Sequence, residues 1–319
     1  MLAYLTPVTT CACVPILSPL DVSADFPHGR RTRSGAGLLL LGRAVVALTS
    51  AIVSMAMLPR LLVAQSTAAP AETLYVYGPG GPLPAMRDAA AAFGRTHGVH
   101  VAVTGGPTPQ WLAKARTDAD VIFSGAEHMM TDFERQLSDS TGGATASSRI
   151  VPTTITPLYL RPSAILVRKG NPKRIRSFED LLRPGVRILV VQGAGQTGLW
   201  EDMAGRTGDI EVVRAFRRNI GAVAPTSGDA RALWIDDPGF DAWIIWNVWQ
   251  VANPELADLI PVAPRWRLYR DAGVALTGRG NDRRHARDFV TFLQSPDGAR
   301  IFARWGWITK GVDRVSSRK

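Results

Sequence analysis

Four turns in the sequence combine glycine with small or hydroxyl-bearing residues, and each lies between an apolar segment and a stretch that favours a helix. These turns are Tyr77–Pro82, Gly105–Gln110, Gly193–Gly198 and Thr226–Gly228. Glycine lets a ligand approach the main chain closely, and the first turn of a helix carries unpaired N–H groups with a partial positive charge. Together the four turns predict a site for phosphate, sulfate or carboxylate oxygens, although any one alone is also explained by a tight turn or a helix cap.

Two arginines lie close to this predicted chemistry. Arg161 is inside an otherwise apolar extended segment, and Arg231 is one turn into the helix that follows Ser227 and Gly228. A guanidinium group can hold a carboxylate or a phosphate through two parallel hydrogen bonds. A structural ion pair is the alternative for each of the two arginines.

The sequence contains no arrangement typical of catalysis, of nucleotide binding or of a metal site. Its five histidines are dispersed without the spacing of metal ligands, and its two cysteines, Cys11 and Cys13, both precede the first apolar run. The turn YGPGGP at residues 77–82 matches neither the dinucleotide-binding nor the phosphate-loop motif, and no G-x-S-x-G motif is found. We therefore predict that the protein is not an enzyme and that it needs no cofactor or metal.

Strands alternate with helices from residue 73 onward, a pattern typical of parallel α/β sheets. Strands are predicted at Leu74–Tyr77, Val99–Val103 and Ala119–Phe123, separated by an Ala-rich helix over Leu83–His97 and by a helix near Trp111–Thr117. Such sheets bind ligands at the carboxyl ends of their strands. The glycine-rich turns lie at those ends.

A second series of strands and helices follows the polar segment Ser138–Ser148, which we interpret as a surface loop. It begins with a long extended segment, Thr156–Lys169, and includes a predicted helix over Ser177–Leu182 and a second extended segment over Leu268–Thr277. Two helices are predicted at the carboxyl end of the chain. Two similar series joined by two long extended segments indicate two lobes with two crossovers.

The predicted fold is therefore α/β with two lobes. Each lobe is a mainly parallel sheet flanked by helices, and two crossover strands form the hinge. Lobe 1 is predicted over residues 73–157 and 268–319, and lobe 2 over residues 158–267. In this arrangement the last two helices return to lobe 1. One large doubly wound sheet is the alternative.

Residues 1–72 are predicted to be an N-terminal extension, a signal peptide and a linker. A basic stretch, Arg30–Arg33, precedes the apolar run Gly35–Ala64, which is the order of a secretory signal. A membrane anchor is the alternative, but the uninterrupted apolar piece, Ala44–Pro59, is shorter than the roughly 20 residues that a membrane span needs. We therefore expect export to the periplasm.

The formal net charge of +10, from 37 lysines and arginines against 27 acidic residues, favours anionic partners. Nucleic acid is the first such partner to consider. The basic residues are dispersed among acidic ones, and no basic run interleaved with aromatic residues is found. The sequence therefore predicts a small anion rather than nucleic acid.

Residues 73–310 resemble the accessory colonization factor C family of periplasmic and cell-surface solute-binding proteins. The resemblance is carried by YGPGGP at 77–82, LYLR at 158–161, GAG at 193–195, GLWEDM at 198–203, SG at 227–228 and DAW at 241–243. It implies a type II periplasmic binding protein for small anionic metabolites, and it leaves a homodimer open. The loop between Gly195 and Leu199 is shorter than the family's and carries fewer hydroxyl groups, which puts the exact ligand in doubt.

The predicted function is an extracytoplasmic solute-binding protein that captures a phosphate ester, a carboxylate or an oxyanion between its lobes for uptake by an ABC transporter. The predicted ligand-binding residues are Gly80, Gly81, Thr108, Ser124, Arg161, Gln196, Thr197, Gly198, Ser227 and Arg231. A surface adhesin with an incidental cleft is the alternative. A phosphatase or transferase is less favoured, because no nucleophile, base or metal set is evident.

Overall fold

The computed structural model describes residues 72–139 and 142–309 of the chain. The predicted signal peptide, its cleavage site and the basic stretch before it lie outside the described residues. Within the described ranges, every helix is too short or too polar to cross a membrane.

The described residues form a mixed α/β fold. Its strands are β1 (Thr73–Gly78), β2 (His100–Gly105), β3 (Val121–Phe123), β4 (Thr156–Val167), β5 (Ile188–Val191), β6 (Ile220–Ala224), β7 (Ala242–Trp246), β8 (Asp258–Pro261) and β9 (Tyr269–Leu276). Its α-helices are α1 (Leu83–His97), α2 (Leu112–Asp118), α3 (Glu127–Ser138), α4 (Leu199–Gly205), α5 (Ile210–Asn219), α6 (Ser227–Asp236), α7 (Val248–Ala252), α8 (Gly278–Asp282), α9 (Arg284–Gln294) and α10 (Pro296–Arg304).

The strand order is β2, β1, β3, β9, β4, β7, β5, β6, and β8 pairs with β4. β1 is parallel to β2 and β3, and β5 is parallel to β6 and β7, whereas β9 runs antiparallel to β3 and β4. Each half of the sheet thus has a parallel core, as the alternation of strands and helices predicts. This strand order fits the two-lobed α/β architecture predicted from the sequence.

The long strand β4 joins the two halves of the sheet. Its residues 156–162 pair with β9, residues 163–167 pair with β7, and residues 164–167 also pair with β8. The second crossover runs from β8 to β9. β4 thus changes partners between Pro162 and Ser163, five residues beyond the predicted boundary at 157/158. The lobe boundaries at 157/158 and 267/268 stay a prediction.

Helix α1 shows how the sequence specifies one of the layers. Its small and apolar residues at Ala85, Met86, Ala89 and Phe93 repeat at helical spacing and are fully buried. The helix ends at Gly98, whose φ of +67° is the left-handed conformation that glycine adopts without a steric penalty. The carboxyl-terminal helices α9 and α10 pack against α1, which confirms their predicted return to the first half of the sheet.

Two expectations about secondary structure need correction. The helix predicted over Ser177–Leu182 is only a short 3-10 turn at Glu179–Leu182, because the Asp180 carboxylate accepts hydrogen bonds from the backbone N–H groups of Arg176 and Ser177 and closes a local turn. In addition, α3, α7 and α8 were not predicted. Of these, α3 matters most, since it lines the cavity described below.

Arg168 ties the end of β4 to the carboxyl end of α6. Its guanidinium donates to the carbonyl oxygens of Phe240 at 2.8 Å and Trp234 at 2.7 Å, donates to the Asp237 carbonyl, and stacks 3.8 Å from the Trp234 ring centroid. A lysine ammonium cannot reproduce this planar fork.

We expect Arg168→Lys to lower the free energy of unfolding by about 2–3 kcal/mol in urea denaturation, because at least one buried carbonyl loses its donor. The exposed Arg218 supplies a matched control. A result in which Arg168→Lys and Arg218→Lys unfold alike would contradict the structural role of the fork.

Candidate functional site

A cavity of about 400 Å³ opens where both halves of the sheet end. Its walls come from the turns after β1, β2, β3, β5 and β6, from one face of α3, and from β4 and α7. The turns at 79–82, 106–109, 195–196 and 225–228 therefore converge on one space, as the parallel-sheet prediction requires.

Arg161 of β4 lies against this cavity and is only 2% exposed. One guanidinium nitrogen, Nη2, donates to the carbonyl oxygen of Gly125, and the Nε–H has no hydrogen-bond partner among the described residues. The rings of Trp246 and Trp307 lie 5.0 and 5.2 Å from the guanidinium carbon. No carboxylate of the described chain forms an ion pair with it, so a buried cation faces the cavity without an opposite charge in contact.

Burial lowers the pKa of Arg161 to about 9. The negative charge of Asp271 partly opposes this shift, and the positive charge of Arg270 adds to it. A group with this pKa keeps its proton at neutral pH. Burying a charge without an opposite charge nearby carries a large desolvation free energy. An anion bound in the cavity would pair with Arg161 and offset this unfavourable term in the unliganded protein.

Three glycines make room for the guanidinium group. A Cβ atom would lie 2.5 Å from Arg161 Nη1 if added to Gly81, and 2.9 Å from Nη2 if added to Gly125 or to Gly195. These glycines belong to the turns after β1, β3 and β5, respectively. The glycine richness of these turns therefore allows close packing around Arg161. Gly80 differs, because a Cβ there would meet nothing within 4 Å.

Three helices begin at the cavity. α1 follows Pro82, α3 begins two residues after Gly125, and α6 begins at Ser227 with Thr226 as its N-cap residue. The Thr226 hydroxyl accepts a hydrogen bond from the Asp229 N–H at 3.1 Å. Helix N-termini carry a partial positive charge, so all three add to the attraction of an anion.

Hydroxyl and amide groups line the same space. Gln196 donates from Nε2 to the Ser227 hydroxyl oxygen at 2.9 Å, which links the turns after β5 and β6. Thr108 lies on a short 3-10 turn at the opposite wall. Such groups give direction and specificity to a site whose main attraction is electrostatic.

Six of the ten predicted site residues line the cavity, and four do not. Those that line it are Gly80, Gly81, Thr108, Arg161, Gln196 and Ser227, whereas Ser124, Thr197, Gly198 and Arg231 are not among the described residues of its wall. The glycine-rich turns and Arg161 thus come together as predicted. Their contact with a ligand stays a proposal.

The residues outside the wall have other positions. Ser124 is fully buried, and its hydroxyl accepts a hydrogen bond from the Gly273 N–H at 3.2 Å. Gly198 has a φ of +72° at the start of α4, where glycine is required by the backbone, and the adjacent Thr197 is exposed. Arg231 is exposed, and its Nε donates to the Asn253 side-chain oxygen at 3.3 Å. We therefore leave these four out of the proposed site.

Sequence reasoning missed the wall formed by α3. Met129, Asp132, Phe133 and Gln136 line the cavity at the i, i+3, i+4, i+7 spacing of one helical face. The apolar residues of this stretch repeat at helical spacing, and that signal could have predicted the helix. Trp249 of α7 also lines the cavity.

A family model of bacterial extracellular solute-binding proteins matches residues 74–308, almost the whole described part of the chain. This chain belongs to that family. Among solved structures, PEB3 from Campylobacter jejuni is 35% identical, with a TM-score of 0.66, over 74% of this chain and 99% of that chain. The L-phospholactate-bound crystal structure of PEB3 is 36% identical, with a TM-score of 0.67, over the same shares.

Two curated relatives of the solute-binding protein are more distant. The molybdate-binding protein ModA of Mycobacterium tuberculosis is 28% identical over 148 residues, which cover 45% of this chain and 52% of ModA. The sulfate-binding protein of Escherichia coli is 23% identical over 165 residues, covering 46% of this chain and 50% of that protein. The chain thus spans about half the length of the curated relatives it matches. Both of these curated relatives are named for the anion that they bind.

Proposed function

We propose that this chain is an extracytoplasmic solute-binding protein that holds a small anion in the cavity at Arg161. The observation that carries the proposal is the buried guanidinium group, which faces the cavity and forms no ion pair within the described chain. The three helix N-termini and the hydroxyl groups of Thr108 and Ser227 supply further donors. The anion is a phosphate ester, a carboxylate or an oxyanion.

The relatives support this class of ligand, since their names or titles give molybdate, sulfate and L-phospholactate as bound molecules. We further propose that the protein acts in the periplasm, passes its ligand to an ABC transporter and catalyses no reaction. Membership of the accessory colonization factor C family is a narrower hypothesis within the same proposal. The homodimer that this resemblance left open has no support from the compared proteins.

A thermal-shift series followed by calorimetry tests the proposal. The purified protein is heated with L-phospholactate, sulfate, molybdate or citrate, with maltose as a neutral control. A ligand present at 100 times its Kd raises the free energy of unfolding by about 2.7 kcal/mol, which corresponds to roughly 5–10 °C for a chain of this size. Stabilisation by maltose and by none of the anions would contradict an anion site.

A further inference from the structure

The cavity wall carries opposite charges, at Arg161 of β4 and at Asp132 of α3. The carbonyl oxygen of Gly125, two residues before α3, accepts a hydrogen bond from Arg161. Gln136 and the apolar Met129 and Phe133 of α3 line the same cavity. The wall thus combines a buried cation, apolar side chains and hydrogen-bond acceptors.

The size of the cavity leaves room for an organic body beyond a bare oxyanion. Its volume of about 400 Å³ is in the size range of pockets for organic molecules. Asp132 lies five residues beyond Glu127, the first residue of α3, which places it about 7–8 Å along the helix from its start.

The Asp132 side chain is available to a ligand. It is 44% exposed, and within the described chain its carboxylate pairs with Arg135, one turn further along α3, whose side chain is 71% exposed. Exposed pairs at this helical spacing are weak, and a carboxylate accepts about four hydrogen bonds. Asp132 can therefore accept a hydrogen bond from a ligand hydroxyl or ammonium group, and it repels a second negative group placed there.

We propose that the preferred ligand is an organic phosphate or carboxylate whose far end carries hydrogen-bond donors, and that Asp132 selects this end. The inference rests on the proposed function, since it takes the anionic end of the ligand to lie at Arg161. Asp132 is then a specificity-determining residue. It discriminates against ligands with a second anionic group.

Calorimetric titration of four probes tests the inference in the wild type and in Asp132→Asn. sn-Glycerol 3-phosphate carries hydroxyl donors, phosphoethanolamine carries an ammonium group, L-phospholactate carries a second anion, and sulfate has no organic body. We expect the wild type to bind at least one of the two donor-bearing esters about tenfold or more tightly than L-phospholactate and sulfate. Comparison of the two esters shows whether the preferred donor is a hydroxyl or an ammonium group.

In Asp132→Asn we expect phosphoethanolamine to bind about tenfold more weakly and L-phospholactate to bind several-fold more tightly, because one charge–charge interaction is lost in each case. The matched control is Asp297→Asn, which removes the same type of Asp–Arg pair from α10, outside the cavity wall. This control should change no Kd by more than about twofold, and melting temperatures check that both variants fold.

The outcomes separate this inference from the function on which it rests. If the wild type binds one of the probes, requires Arg161, and prefers L-phospholactate or sulfate to both esters, then the role of Asp132 is wrong and the anion site stands. Unchanged selectivity in Asp132→Asn leads to the same conclusion. If none of the four probes binds, the inference fails, and the proposed function fails with it only if molybdate and citrate also leave the melting temperature unchanged.

Discussion

Arg161→Gln is expected to abolish anion binding while leaving the fold intact. Truncating one partner of a buried, hydrogen-bonded charge pair costs about 2–5 kcal/mol, so Kd should rise by about 30-fold or more. Arg161 is 2% exposed, and it is the only arginine in the described wall of the cavity. Calorimetry with the anion that stabilises the wild type most strongly measures the loss.

The stability of the unliganded variant distinguishes this role from a structural one. Replacing a buried cation that has no ion pair removes a desolvation cost, which offsets the loss of the hydrogen bond to Gly125. We therefore expect the free energy of unfolding of Arg161→Gln to stay within about 1 kcal/mol of the wild type. A structural arginine would instead cost several kcal/mol when it is removed.

Arg231→Gln is the matched control, because both arginines are predicted site residues and only Arg161 lines the cavity. The side chain of Arg231 is exposed and contacts Asn253. Its substitution should leave Kd within about twofold of the wild type. Wild-type affinity in Arg161→Gln, or equal losses in both variants, would refute the assignment of Arg161 as the anion-binding cation.

Gly81→Ala is expected to weaken binding by about 10–30-fold. The new methyl group would lie 2.5 Å from Arg161 Nη1, and the guanidinium, enclosed by Gly125, Trp246 and Trp307, has little room to move away. Overpacking of this kind costs about 1–3 kcal/mol, and each 1.4 kcal/mol changes Kd tenfold. The displaced guanidinium would no longer face the ligand as it does in the wild type.

The neighbouring Gly80 provides the control for this prediction. It also lines the cavity, but a Cβ there would meet nothing within 4 Å, and its backbone is not in the left-handed region. Gly80→Ala should therefore keep the wild-type Kd within about threefold. Titration of both variants with the same anion decides the matter, and the packing argument is wrong if Gly80→Ala is the more damaging change.

The order of the elements could be predicted because it depends on local patterns. The helix over Leu83–His97 has the bounds expected from its hydrophobic periodicity and from the glycine that follows it. The short segment at Glu179–Leu182 departed from expectation, because the Asp180 side chain competes locally for backbone N–H groups. Composition alone does not show whether such a side-chain hydrogen bond is favoured over a continuous helix.

The site could be predicted only in part. Arg161 could be identified from the sequence because a charge inside an apolar strand needs a partner. The glycine-rich turns could be identified because each of them follows a predicted strand. Gly125 and Gly195 were not selected, although a Cβ at either would lie 2.9 Å from the guanidinium, compared with 2.5 Å at Gly81. Which glycine contacts the Arg161 guanidinium depends on how the two halves of the sheet pack together. The spacing of residues along the chain does not determine this contact.

The sequence by itself determined the alternation of strands and helices, the turns at the strand ends and the presence of one arginine in an apolar strand. Only the tertiary structure decided that Arg161 lies against the cavity, that Arg231 does not, and that α3 supplies Asp132. The physical reason is that periodicity and capping act over a few residues. The environment of a side chain is instead set by the packing of segments that are distant along the chain.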